Sequence, residues 1–132
     1  MARLLYDRRT RYLCAALWGV AWLGVAAVLL LPLRMPAPPQ GDVVAHFLLF
    51  GAMAFATVGF SRRPWQLACL ALVTIASATA LEFAQGLVPY RTFDPMDGVA
   101  NGAGALTGYV TALLVLYYVI RPAAPRYGAT AP

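Results

Sequence analysis

The chain has 132 residues, of which 61% are hydrophobic and 11% charged, with a mean hydropathy of +0.69. A water-soluble domain is about 45–50% apolar and about 25% charged, so this length is spent on membrane spans rather than on a soluble core. The net charge of +5 comes from ten arginines and no lysine. Those arginines flank apolar segments instead of lining a polar, aromatic-rich face, which argues against a nucleic-acid partner.

Taken in order, Arg3, Arg8, Arg9 and Arg11 precede a first apolar segment, Tyr12–Leu33. A basic start and an apolar run also describe a signal peptide. This run, however, exceeds the usual core of about 7–15 residues, and no small-x-small cleavage site follows cleanly, so a retained span is expected. Pro32 and the Met35–Gly41 run cannot continue a helix and end it. The second segment, Val43–Phe60, is the shortest and carries Asp42 and His46 at its start. Ser61-Arg62-Arg63-Pro64 is a polar turn whose proline is placed to open the third segment, Trp65–Leu87. A loop over Pro89–Pro95 leads to the fourth, Gly98–Ile120, and the Pro/Ala/Gly-rich tail Arg121–Pro132 is expected to be disordered.

Each segment approaches the ~20 residues a helix needs to cross ~30 Å of hydrocarbon. Helices are expected because every backbone N–H and C=O must be satisfied without water. The fold class is thus an all-α membrane protein, a single domain of four transmembrane helices. Eight arginines lie on one side of the membrane and only Arg34 and Arg91 on the other, so the positive-inside rule puts both termini in the cytoplasm. Tyr12, Trp65, Tyr90, Tyr117 and Tyr118 fall near span ends, where amphipathic rings prefer to sit. Cys14 and Cys69 lie inside apolar stretches, far from any ligand spacing, and read as small hydrophobes.

The polar residues gather at the other side. Asp42 and His46 are four apart and share a helix face; in the bland reading Asp42 is a cap and His46, the only histidine, a packed polar residue. Glu82 and Gln85 share a face of the third helix, Glu82 more than a turn inside the span. A carboxylate there must be neutralised, paired or hydrated, which makes Glu82 a candidate acid or base unless Arg91 or His46 holds it in an ion pair. Asp94 before Pro95 reads as a cap, whereas Asp97 and Asn101 share a face one turn into the fourth helix. The pairs Gly98/Gly102 and Gly104/Gly108 have the spacing that lets a neighbouring helix approach closely, and a packing role is expected for them.

At these residues the chain resembles the VanZ-like family of small membrane proteins. The resemblance rests on Asp-x-x-x-His (Asp42, His46, then Phe47), Glu-x-x-Gln (Glu82, Gln85), Pro-x-Arg (Pro89, Arg91) and Asp-x-x-x-Asn-x-x-Gly (Asp97, Asn101, Gly104). It covers Gly41–Tyr109 and implies a multi-pass protein of the bacterial inner membrane. The family's named member is associated with teicoplanin resistance, so cell-envelope biology is the implied setting.

Three functions follow. In the first, the outer cluster binds, and in an enzyme processes, a polar lipid or envelope precursor. Glu82, His46 and Asp97 are then the candidate acid–base residues, and Asp42, Gln85, Arg91 and Asn101 the ligand-binding ones. No dense metal-ligand motif is present, so no cofactor is assigned, although a divalent cation among Asp42, His46, Glu82 and Asp97 stays open. In the second, the cluster is a helix-locking network in an accessory protein. In the third, the chain is a small transporter, against which stand inner span halves without charge. Membrane lipids are the expected partners, and homo-oligomers stay open.

Overall fold

The computed structural model describes residues 7–31, 41–89 and 94–122. Helix α1 spans Arg8–Leu30 and α2 spans Gly41–Ala56, extended by a 3-10 turn over Thr57–Gly59. Helix α3 spans Pro64–Gln85, and α4 spans Pro95–Val115, extended by a π turn over Leu116–Ile120. With these extensions the helices run 23, 19, 22 and 26 residues and are apolar enough to cross a membrane. At 1.5 Å per residue that is about 28–39 Å, which matches the bilayer core. Among the described residues there is no strand, and the expected four-helix, all-α class is what is found.

The ends follow from local chemistry. Asp7 caps α1, its carboxylate accepting from the Thr10 N–H at 3.4 Å. Pro64 opens α3, and Gln66 Oε1 accepts from the N–H groups of Arg62 and Arg63 at 2.9 and 3.1 Å. Pro95 opens α4 behind Asp94, whose carboxylate accepts from the Met96 N–H at 2.8 Å; Asp94 is therefore the cap that its position before proline suggests. The boundaries differ by up to four residues from those read in the sequence: α1 starts at Arg8 rather than Tyr12, α3 stops at Gln85 rather than Leu87, and α4 starts at Pro95 rather than Gly98. Leu33, Arg34, Arg91 and the tail beyond Pro122 lie outside the described residues.

The helices alternate in direction, so α2 and α4 run parallel and form the most extensive pair. Glycine makes that pair possible. A Cβ on Gly104 would collide with the Phe47 carbonyl and one on Gly108 with the Gly51 carbonyl, while a Cβ on Gly51 would stand 3.1 Å from the Gly104 carbonyl oxygen. Of the two glycine pairs expected to pack, only Gly104/Gly108 does so. Gly98 and Gly102 have nothing within 4 Å of the same construction.

Helix α1 joins this pair through Trp18, whose Nε1 donates to the Met53 carbonyl at 2.8 Å. Trp18 meets Trp22 edge-on at 5.9 Å, and Trp22 meets Phe50 at 6.0 Å. Val25, Leu29, Phe50, Met53 and Ala78 complete an apolar layer, and Val58, Leu67, Ala112, Leu116 and Ile120 form a second one further along. Beyond the second layer, Arg11 Nε donates to the Phe60 carbonyl at 3.2 Å, and Arg62 Nη1 to the Ser61 carbonyl at 2.7 Å. Arg8, Arg9, Arg63 and Arg121 belong to the same end of the bundle, by their positions at the start of α1, the start of α3 and the end of α4. Leu17, Leu23, Leu72, Phe83, Leu106 and Tyr118 are among the large apolar side chains facing outward, as lipid-facing positions do.

The glycine contact gives a stability test. Gly104→Ala forces a methyl group onto backbone, and overpacking of this kind costs about 1–3 kcal/mol. Gly102→Ala meets open space and is expected to stay within about 0.5 kcal/mol of the parent. Unfolding of both variants in detergent micelles measures the difference; equal stabilities would contradict the close approach.

Candidate functional site

The opposite end of the bundle carries the polar centre. His46 is the sixth residue of α2, Asp97 the third of α4, and Glu82 lies three residues before the end of α3. Helical side chains lean toward the N-terminus of their own helix, so in the parallel pair His46 and Asp97 both lean toward this end. Their Nδ1 and Oδ1 atoms are 3.2 Å apart. Glu82 joins them: one ligand-capable atom from each of His46, Glu82 and Asp97 lies within 4.8 Å of the other two.

All these groups are out of contact with the surroundings. His46 and Glu82 are 3% exposed, Asn101 3%, Gln85 4% and Asp97 6%. Two have clear backbone partners. Gln85 Nε2 donates to the Leu29 carbonyl at 3.2 Å, which satisfies an orphan carbonyl in the last turn of α1. Glu82 Oε1 accepts from the Asp94 N–H at 3.2 Å. The rest is less conventional. His46 Nδ1, Asp97 Oδ1, Glu82 Oε2 and Asn101 Oδ1 are buried with no hydrogen-bond partner among the described residues. The His46–Asp97 contact thus has ion-pair distance but not hydrogen-bond geometry. Beneath it, the Phe50 ring lies 6.2 Å from the imidazole, tilted by 37°, and closes the centre from the apolar layer.

Of the residues singled out in the sequence, His46, Glu82 and Asp97 converge, with Asn101 one turn deeper on the face of Asp97 and Gln85 one turn along from Glu82. Asp42 does not share their burial; it is exposed in the first turn of α2. Arg91 lies outside the described residues. Glu82 stands about one turn from the end of its helix, slightly shallower than expected, because α3 stops two residues early. The backbone contributions of Leu29 and Asp94 had no signal in the sequence, since any residue type can supply a carbonyl or an N–H.

An imidazole and two carboxylates at this spacing can pass a proton between them or onto a ligand, or can share a cation. Between this centre and the arginine end, the buried hydroxyls of Thr57 and Thr74 bond back to their own helices at Ala54 and Leu70. A fold of four apolar helices, with buried ionisable side chains gathered near one end, defines an integral membrane protein with a buried polar centre. The chain belongs to the VanZ/LLP1 family, whose model matches residues 12–118, about four fifths of its length. No curated protein and no solved structure matches it.

A double-mutant cycle checks the convergence. Contacting pairs couple by about 0.5–3 kcal/mol, so His46→Ala and Asp97→Ala are expected to be non-additive in unfolding free energy. Asp42→Ala with Asp97→Ala is expected to be additive within about 0.5 kcal/mol. The reverse pattern would move Asp42 into the centre and His46 out of it.

Proposed function

We propose that this protein binds the polar head of a membrane lipid or envelope precursor at its polar end, with His46, Glu82 and Asp97 available for proton transfer to the bound group. The observation that carries this reading is the set of four buried polar atoms, on His46, Glu82, Asp97 and Asn101, without hydrogen-bond partners among the described residues, a turn or so from the helix ends. Buried polar groups are nearly always satisfied, and an exception calls for a ligand, an ion or ordered water. The depth suits a headgroup better than an acyl chain. The positive-inside asymmetry supports an extracytoplasmic location for this end, where envelope precursors are delivered. The association of the family's named member with teicoplanin resistance points to the same setting.

A second reading has a specific observation behind it. The His46–Asp97 contact ties α2 to α4, and the Gln85–Leu29 bond ties α3 to α1. These are the cross-helix links a purely structural network would use. A transporter is supported least, because apolar layers separate the polar centre from the arginine end.

Melting of the purified protein with and without undecaprenyl phosphate separates the readings. A ligand at a hundredfold its Kd stabilises by about 2.7 kcal/mol, an upshift of several degrees. Asp97→Asn and Glu82→Gln are expected to keep their own melting temperature and lose that upshift. Early melting of both variants, with no upshift in the parent, would establish the structural network instead.

A further inference from the structure

We propose that the polar centre is a divalent transition-metal site, with zinc as the best-fitting ion and His46, Glu82 and Asp97 as its ligands. The inference deepens the headgroup reading of the same centre and rests on it only for the purpose of the metal, not for its presence. Charge is the first ground. Two carboxylates and a neutral imidazole carry a formal charge of −2, buried in a region walled by Phe50 and other apolar side chains. Among the described residues the arginines gather at the opposite end of the bundle. A doubly charged cation neutralises the set without requiring protons on it, and buried charge that is not paired is very costly.

Atom geometry is the second and independent ground. His46 Nδ1 and Asp97 Oδ1 stand 3.2 Å apart yet form no hydrogen bond. Two atoms each held about 2.0–2.1 Å from one zinc at a tetrahedral angle lie about 3.4 Å apart, so the pair already has the spacing of shared ligation. Glu82 has one oxygen fixed by the Asp94 N–H at 3.2 Å and the other without a hydrogen-bond partner among the described residues. That is the arrangement of a ligating carboxylate with a supporting bond behind it. One ligand-capable atom of each of the three residues lies within 4.8 Å of the other two, so small side-chain rotations complete the set.

Donor chemistry selects the ion. One imidazole with two carboxylates, and no thiolate, suits zinc or manganese; calcium and magnesium take oxygen alone. Three protein ligands with a further coordination position left for water or substrate is the pattern of catalytic rather than structural zinc. Asn101 Oδ1, also buried without a hydrogen-bond partner among the described residues, is a neutral oxygen one turn along α4 on the helix face of Asp97. A metal here would take a phosphate or carboxylate oxygen of a headgroup as its additional ligand.

The test uses the full chain without a histidine tag, in detergent, stripped with EDTA and then dialysed against zinc or manganese. Metal analysis is expected to find about one zinc per chain, and cobalt substitution to give visible absorption of a four-coordinate nitrogen–oxygen site. His46→Ala and Asp97→Asn are expected to lower the bound metal more than about tenfold, and Asp42→Asn, on the exposed side of α2, to leave it unchanged. Should the triad variants fail to fold, zinc titration of the stripped parent, followed by calorimetry and by its melting temperature, decides alone. Wild type that takes up no metal, or equal uptake by the folded Asp97→Asn variant, overturns the site. If the stripped protein takes up no zinc and still shows the undecaprenyl phosphate upshift, the metal inference fails while the headgroup reading stands. Stoichiometric zinc without any lipid upshift leaves the metal site and removes the headgroup.

Discussion

The approach of α2 and α4 through glycine is the constraint on which the molecule depends. Lipid offers no hydrophobic reward for bringing two apolar helices together, so membrane helices associate where small residues allow dense packing. Gly51, Gly104 and Gly108 remove the side chains that would hold the two backbones apart. Once that distance is fixed, the parallel direction of the helices puts the first turns of both at one end, and His46 and Asp97 come within 3.2 Å. A larger residue at the glycine contact would widen the pair along its whole length. The polar centre is in this sense a consequence of backbone packing some two turns away.

Helix α3 supplies the third member by running in the opposite sense. Its last turn, not its first, reaches the polar end, and so a residue late in the third span meets residues early in the second and fourth. The same antiparallel step sets Gln85 beside the last turn of α1, where carbonyls lack helical partners. One short stretch of α3 thus serves two purposes: Gln85 closes the end of α1, and Glu82 enters the centre. The apolar layer of Trp18, Trp22 and Phe50 lies immediately beneath and separates the centre from the arginine end.

Much of this was legible in the sequence, and the reasons are physical. Four spans follow from the length and apolarity a bilayer demands, and the proline and polar breaks place their ends to within a few residues. The alternating sense of the spans assigns His46, Glu82 and Asp97 to one side. What helix spacing does not give is the neighbour. Asp42 and His46 share a face by periodicity, but only His46 is covered, because a shared face says nothing about what packs against it. The glycine pairs illustrate the same limit: Gly98/Gly102 and Gly104/Gly108 have identical spacing, and only the second pair meets α2. The backbone groups at Leu29 and Asp94 had no chemical signature to read.

The polar centre also explains why a helix-locking role and a ligand-binding role are not equivalent descriptions of the same residues. A locking network is strongest when every donor meets an acceptor, since a half-satisfied network in a low dielectric is worse than an apolar contact. Gln85 meets that standard, with its amide on the Leu29 carbonyl. Among the described residues, His46 Nδ1, Asp97 Oδ1 and Asn101 Oδ1 do not, although they too are buried. If cohesion were the whole purpose, an alanine or leucine seam at these positions would hold α2 to α4 at less cost, as Ala105 and Ala112 do further along the same helix. Among the described residues, the buried acceptors of His46, Glu82 and Asp97 converge without hydrogen-bond partners beside Gln85, whose amide is bonded; that contrast supports the ligand-binding reading proposed above over a seam.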